Sequence, residues 1–305
     1  MAKIDRLRML WMAVVTTLAG GWLWGCVGDE DSTENGASDM GAASGGAVAE
    51  DGSASDMGVA SGGADLGVAS GEDCDPSEST VLDGDFSVRS VADGRRIACY
   101  TEITGILGIY NDALASLPNL ASVGGLDVFD NPTLTRLSLP ALTRVGEVGL
   151  NVTGNHALLE LNLPALTSIG GSLNSAGRLS IYENESMTDL ILPALTDVGG
   201  SMGIEMTALT NIEMPALRSI GSSFVFNRNE VLTDLNLPAL ASVGGNMDVS
   251  ENPRLTGISL SRLSSVDGFL TIFANEMLCQ STVDELVGQI EQALVSDVSG
   301  NRDDC

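Results

Sequence analysis

The chain has 305 residues, with 41 Asp and Glu against 14 Lys and Arg, for a formal net charge of −27. That balance repels a nucleic-acid backbone or an anionic headgroup layer within a Debye length, so nucleic acid is excluded as a partner. Hydrophobic residues make up 44% but aromatics only 4%, with 36 Gly, which points to thin repeated layers of small aliphatic side chains rather than one bulky core.

At the N-terminus Lys3, Arg6 and Arg8 precede an apolar run from Met9 to Trp24, and Leu23-Trp24-Gly25-Cys26 closes it with a small residue before a cysteine. Residues 1–25 therefore read as an export signal; the run of about sixteen apolar residues is short for a span needing about 20. Its end resembles a bacterial lipobox, although Trp24 departs from the small residue usual there. The resemblance implies lipidation of Cys26, so that the membrane is met through the N-terminal lipid only. Val27 stands where an Asp would imply retention at the inner membrane, so the expected location is the outer membrane or cell surface.

Residues 26–73 follow as a linker of Gly, Ala, Ser and acid, without Lys or Arg. Ala37-Ser38-Asp39-Met40-Gly41 recurs in it as Ala54-Ser55-Asp56-Met57-Gly58. Lacking bulky apolar residues, it is expected to be disordered and to reach roughly 35–40 Å. The folded region is expected over residues 74–305. Apart from Cys26, the cysteines fall in two local pairs at its ends, Cys74 with Cys99 and Cys279 with Cys305. Of the three pairings that four cysteines allow, only this one closes two short loops, and an exported chain permits disulfides. No Cys-x-x-Cys or Cys/His cluster occurs, so no metal and no cofactor are expected.

After residue 100 a Leu-Pro-Ala-Leu motif recurs, with copies at Leu117, Leu139, Leu163, Leu192, Met214 and Leu237 and a decayed one at Leu260. Successive spacings are 22, 24, 29, 22, 23 and 23 residues. Gly124, Gly146, Gly170, Gly199, Gly221 and Gly244 each stand six residues beyond the Pro, so all length variation lies elsewhere in the repeat. After the glycines, pairs such as Leu126 with Val128, Leu179 with Ile181, Phe224 with Phe226 and Leu270 with Ile272 alternate with polar residues and share one face. Such units bury their apolar positions by stacking, which predicts an all-β parallel solenoid of about seven coils, roughly 33 Å long at 4.8 Å per layer. Asn131, Asn155, Asn184, Asn229, Asn252 and Asn275 close the alternating strand, with Asp112 and Thr207 in the equivalent places, and are expected to form an inward ladder that satisfies backbone groups.

The segment Cys99-Tyr100-Thr101-Glu102-Ile103-Thr104-Gly105-Ile106-Leu107-Gly108-Ile109, the LPALTxVGG repeats and Asn275-Glu276-Met277-Leu278-Cys279 together resemble the receptor L-domain family. The resemblance implies a right-handed, leucine-rich-repeat-like β-helix over residues 74–305. It is poor on ligand identity, and no kinase or cysteine-rich module accompanies it. The ends need caps: Phe86–Ser90 and Ala92–Ala98 at one end, and at the other a helix begun by a Thr282/Glu285 capping box, with Val283, Leu286, Val287, Ile290 and Leu294 as its apolar stripe.

The single histidine, His156, falls in a predicted surface turn without a nucleophile to pair with, and no P-loop, Rossmann or kinase motif occurs. No catalytic residue is expected, and the chain reads as a non-enzyme: a binding or adhesion module for an extracellular protein or glycan. A passive envelope spacer is the alternative, and a polysaccharide-processing β-helix a more remote one. Outward strand positions supply acid at Asp127, Asp130, Glu183, Glu205, Asp248 and Glu251, one cation at Arg228, and aromatics at Tyr110, Phe129, Tyr182 and Phe273, with Thr153, Asn227 and Ser250 at matching places. That row, and the inserted Asn174-Ser175-Ala176-Gly177, are the candidate binding residues.

Overall fold

A computed structural model describes residues 80–110, 112, 114, 116–171, 176–303 and 305. The export signal, Cys26, the linker, Cys74, and Asn174 and Ser175 of the inserted segment lie outside the described residues. Among them the chain is an all-β solenoid of stacked parallel strands with about nine turns and a C-terminal helix.

Each turn presents three walls. The first wall comprises β1 (Val81–Leu82), the leading halves of β3 (Glu102–Ile109), β4 (Ser122–Phe129) and β6 (Arg144–Thr153), then β8 (Ser168–Ile169), β11 (Asp197–Val198), β14 (Ser219–Ile220), β17 (Ser242–Val243) and the start of β20 (Ser265–Phe273). The second wall comprises β2 (Phe86–Val88), the trailing halves of β3, β4 and β6, then β9 (Leu179–Asn184), β12 (Met202–Thr207), β15 (Phe224–Asn227), β18 (Met247–Ser250), the end of β20, and β21 (Gln292–Asp297). The third wall is made of β5 (Arg136–Ser138), β7 (Glu160–Asn162) and β10 (Asp189–Ile191) in one sheet, and β13 (Asn211–Glu213), β16 (Asp234–Asn236) and β19 (Gly257–Ser259) in another.

The register explains the periodicity. Leu126, Leu150, Leu179, Met202, Phe224, Met247 and Leu270 pair in succession, as do Val128, Val152, Ile181, Ile204, Phe226, Val249 and Ile272. Both columns point inward and are almost fully buried, and Val123, Val145, Ile169, Val198, Ile220, Val243 and Val266 make the equivalent column of the first wall. Each aliphatic side chain lies over its counterpart at the strand spacing, so a single layer has no core of its own.

Between the second and third walls the backbone turns sharply. Asp130, Glu183, Met206, Arg228, Glu251 and Ala274 have φ between 52° and 57°, and Gly154 and Gly300 have φ of 69° and 73°. The next residue is in each case the ladder residue, fully buried where it is Asn131, Asn155, Asn184, Asn229, Asn252 or Asn275. Asn155 is representative: its Oδ1 accepts from Asn131 N at 3.1 Å, and its Nδ2 donates to Val128 O at 3.0 Å. The ladder thus satisfies main-chain groups at a bend where strand pairing stops. Asp112 and Asn301 extend it at the two ends, through bonds from Asp112 N to Asn131 Oδ1 and from Asn275 N to Asn301 Oδ1.

Three expectations are corrected. The turns number about nine rather than seven, because Val81–Val88 and Gln292–Asp297 stack as further layers without carrying the Leu-Pro-Ala-Leu motif. The first helix, α1 (Val91–Ile97), forms one cap as expected, but the second, α2 (Gln280–Gln289), stops before Leu294, which lies in β21 and is 60% exposed. The open edge of β20 offers backbone partners to Gln292–Asp297, and that pairing prevails over continuation of the helical stripe. Thr282 does not cap α2, whose N-cap is Cys279 without a side-chain cap bond. Cys279 is disulfide-bonded to Cys305, and Cys99 is also disulfide-bonded.

Removing one rung tests the ladder. Asn155→Ala strands two buried polar groups at about 1–3 kcal/mol each, so urea denaturation is expected to show a loss of about 2–6 kcal/mol. Gly154→Ala, where an added Cβ meets nothing within 4 Å, is expected to lose only the left-handed backbone preference, about 1 kcal/mol.

Candidate functional site

The outward side of the second wall carries two parallel rows, because side chains alternate along a strand. One row is Phe129, Thr153, Tyr182, Glu205, Asn227, Ser250 and Phe273, each the registered partner of the next. Tyr110 extends it, since it follows Ile109, the partner of Val128. The second row, two residues earlier on each strand, is Asp127, Asn151, Ser180, Gly203, Val225, Asp248 and Thr271. Ser180, Gly203 and Val225 are small and leave a shallow floor between Asn151 and Asp248.

Asp130, Arg228 and Glu251 do not stand on the strands as expected but just after them, while Glu183 lies near the end of β9. All four have left-handed φ and form a rim along this face. Arg228 Nε donates to Glu251 Oε2 at 3.0 Å, which commits the cation to the rim rather than to the floor. The aromatics are likewise not one cluster. Tyr110 and Phe129 lie on adjacent layers, with Phe129 47% exposed, whereas Tyr182 and Phe273 are four layers apart, about 19 Å at the strand spacing.

Two polar groupings result. Near the first, the Arg89 guanidinium lies 4.8 Å from the centre of the Tyr110 ring, and the Tyr110 hydroxyl donates to Asp127 Oδ2 at 3.3 Å. Asn151 Nδ2 donates to Asp127 Oδ1 at 2.8 Å, and Thr153 Oγ1 donates to Asn151 Oδ1 at 2.9 Å. Burial, then the neighbouring Asp127 carboxylate, raises the Tyr110 hydroxyl above its ordinary pKa.

The central grouping joins Tyr182, Glu205, Asn227, Asp248 and Ser250. Asp248 accepts from Ser250 Oγ and, at 3.3 Å, from Asn227 Nδ2. Its carboxyl is nevertheless raised, because desolvation outweighs those bonds. Glu205 is raised as well, by desolvation first, with Asp248 adding to the shift and Arg228 opposing it. Tyr182 is raised by desolvation and then by its bond to Glu183. A carboxylate oxygen of Glu205 would lie 3.7 Å from a Cβ at Gly203, so the side chain leans over the small-residue floor. The arrangement is a pair of partly desolvated carboxylates on an otherwise neutral polar face, flanked by an aromatic ring. Carboxylates shifted by desolvation in company with an aromatic ring are a feature that functional sites share.

Strand alternation in the repeats singled out Glu205 and Asp248 but missed Asn151, Ser180, Gly203 and Val225. The signal was available, since they stand two places before row members already identified. Among the described residues no group of three or more His, Cys, Asp or Glu is arranged to hold a metal ion, and no helix is long and apolar enough to cross a membrane. A cleft of about 460 Å³ lined by Gln280, Ser296, Ser299, Gly300 and Asp303 lies at the C-terminal end, where Gly300 approaches the Phe273 ring. No family model, curated protein or solved structure matches the chain.

His156 is exposed, as expected for a turn, and its Nδ1 lies 2.6 Å from Glu185 Oε2 on the next layer. That bond raises the imidazole pKa and lowers that of Glu185. Glu185→Gln is expected to return the His156 NMR titration midpoint toward 6.5, the ordinary histidine value.

For Glu205 the folded-state pKa lies above the unfolded one, so its contribution to stability is full below the ordinary glutamate range and is lost as pH rises through the folded value. Glu205→Gln is therefore expected to melt higher than the parent at pH 7, with the difference vanishing near pH 4. Equal melting temperatures at both pH values would show that the desolvation is not felt.

Proposed function

We propose that the solenoid is a non-catalytic binding module of a lipid-anchored surface protein, and that the outward face of its second wall holds an extended glycan chain. One observation carries this reading: Glu205, on the layer next to Tyr182, and Asp248, two layers further on, are held partly desolvated over a floor of Ser180, Gly203 and Val225. Keeping two carboxylates partly out of water opposes folding, and a ligand that donates further hydrogen bonds to them would offset that cost. Hydroxyl or amine groups of a sugar supply them, and an aromatic ring offers a sugar its apolar face.

The net charge of −27 disfavours acidic polysaccharides, so the expected ligand is neutral or bears amines. The row from Tyr110 to Phe273 spans about 34 Å at the strand spacing, enough for several sugar units lying across the layers. The resemblance to receptor L-domains supports binding rather than chemistry. Cys26, by its lipobox resemblance, supplies the anchor, and the linker holds the domain away from the membrane.

The raised pair Glu205 and Asp248 also favours a second reading, cleavage of a glycosidic bond by paired carboxylates. The two are separated by measuring binding and turnover on a panel of neutral and amine-bearing glycans. The binding module predicts saturable binding without product, weakened tenfold or more by Tyr182→Ala, which corresponds to about 1.4 kcal/mol. Product release abolished by either Glu205→Gln or Asp248→Asn would establish the enzyme. Absence of binding to glycans and whole cells would leave a passive spacer.

A further inference from the structure

The layer interface between the turn of β8, β9 and β10 and the turn of β11, β12 and β13 differs from the others. On the third wall β10 and β13 do not pair, so that wall is split into two separate sheets. The asparagine ladder stops at the same place. Asn155 N donates to Asn184 Oδ1 at 3.1 Å and Thr207 N donates to Asn229 Oδ1 at 3.2 Å, but among the described residues no bond joins Asn184 to Thr207. Thr207 also lacks the amide that in neighbouring layers donates to a carbonyl one turn back, as Asn184 Nδ2 does to Val152 O and Asn229 Nδ2 to Ile204 O.

The cause is local in sequence. Asp189 stands five places after Asn184, and Asp234 five places after Asn229, but Asn211 stands only four places after Thr207. The shortened arc draws Asn211–Glu213 out of register with Asp189–Ile191. Main-chain bonds that recur elsewhere, from Thr188 N to Leu159 O and from Thr233 N to Thr210 O, have no counterpart between Thr210 and Thr188. The other two walls are intact: β8 pairs with β11, and β9 pairs with β12 through five residues.

We infer that this layer is a one-sided hinge dividing the solenoid into two cooperative blocks, with the third wall opening at the seam while the first two walls act as the pivot. In a stacked array each interface is an independent nearest-neighbour term, so separation is concentrated at the interface that lacks its usual bonds. The pivot runs beneath the step from Tyr182 to Glu205, so bending changes the spacing of those two groups. The hinge stands on the broken pairing alone and does not depend on a ligand.

Native-state hydrogen exchange of the whole protein in increasing urea, read by peptide mass spectrometry, tests this. Amides bonded within each block, such as those of Leu139 and Leu163 on one side and Met214 and Leu237 on the other, are expected to fall into two protection classes at least tenfold apart, with the boundary between residues 192 and 209. A variant with Thr207→Asn and one residue inserted after it restores the five-residue arc and is expected to merge the classes. Uniform protection in the parent protein, or a boundary in another layer, overturns the hinge whether or not that variant folds. Two classes persisting in the folded variant also overturn it.

Discussion

Layer-on-layer registration of inward side chains is the constraint from which the rest of this molecule follows. No turn of some 23 residues can bury its leucines within itself; each does so against the turns above and below. The strand spacing then becomes the repeat distance of everything else, from the aliphatic columns to the asparagine ladder to the polar rows outside. A mismatch in any one layer is consequently felt as a break in a column, not as a local adjustment.

The asparagines are what allow the backbone to bend between the second and third walls. Where the strand ends, carbonyls such as Val128 O and Val152 O lose their ladder partners, and the buried amides supply them. The residue before each ladder position accepts a left-handed conformation that opposes folding, and it is Asp, Glu, Met, Arg or Ala in six layers and Gly in two. The bend is therefore over-determined by the ladder. At Thr207 the ladder lacks its amide and the third wall comes apart in the same layer.

The outward face inherits its geometry from this inner order. Glu205 and Asp248 are brought near each other because Asn227 and Val225 hold the intervening strand in register, and they stay partly desolvated because Gly203 lets Glu205 lie low on the sheet. The rim of Asp130, Glu183, Arg228 and Glu251 exists because the left-handed corner repeats in every layer. A binding reading and a hinge reading thus draw on one architecture, the first on its regularity and the second on the interruption of its third wall.

The periodic positions were legible in the chain itself: the inward columns, the asparagine ladder and the identity of the outward row all follow from spacing, because a repeating apolar pattern has one efficient way to be buried; that Asp112 joins the ladder only by its backbone N and that Thr207 interrupts it were not legible. The number of turns was not legible, since Phe86–Val88 and Gln292–Asp297 stack by backbone pairing without the motif. Nor was the fate of Leu294, where a helical stripe competed with an open strand edge and the edge prevailed. The neighbours of Glu205, the retreat of Arg228 to the rim and the split of the third wall were decided by tertiary structure alone. They depend on which residues face each other across layers, and a one-residue change in arc length alters those neighbours while leaving the motif intact.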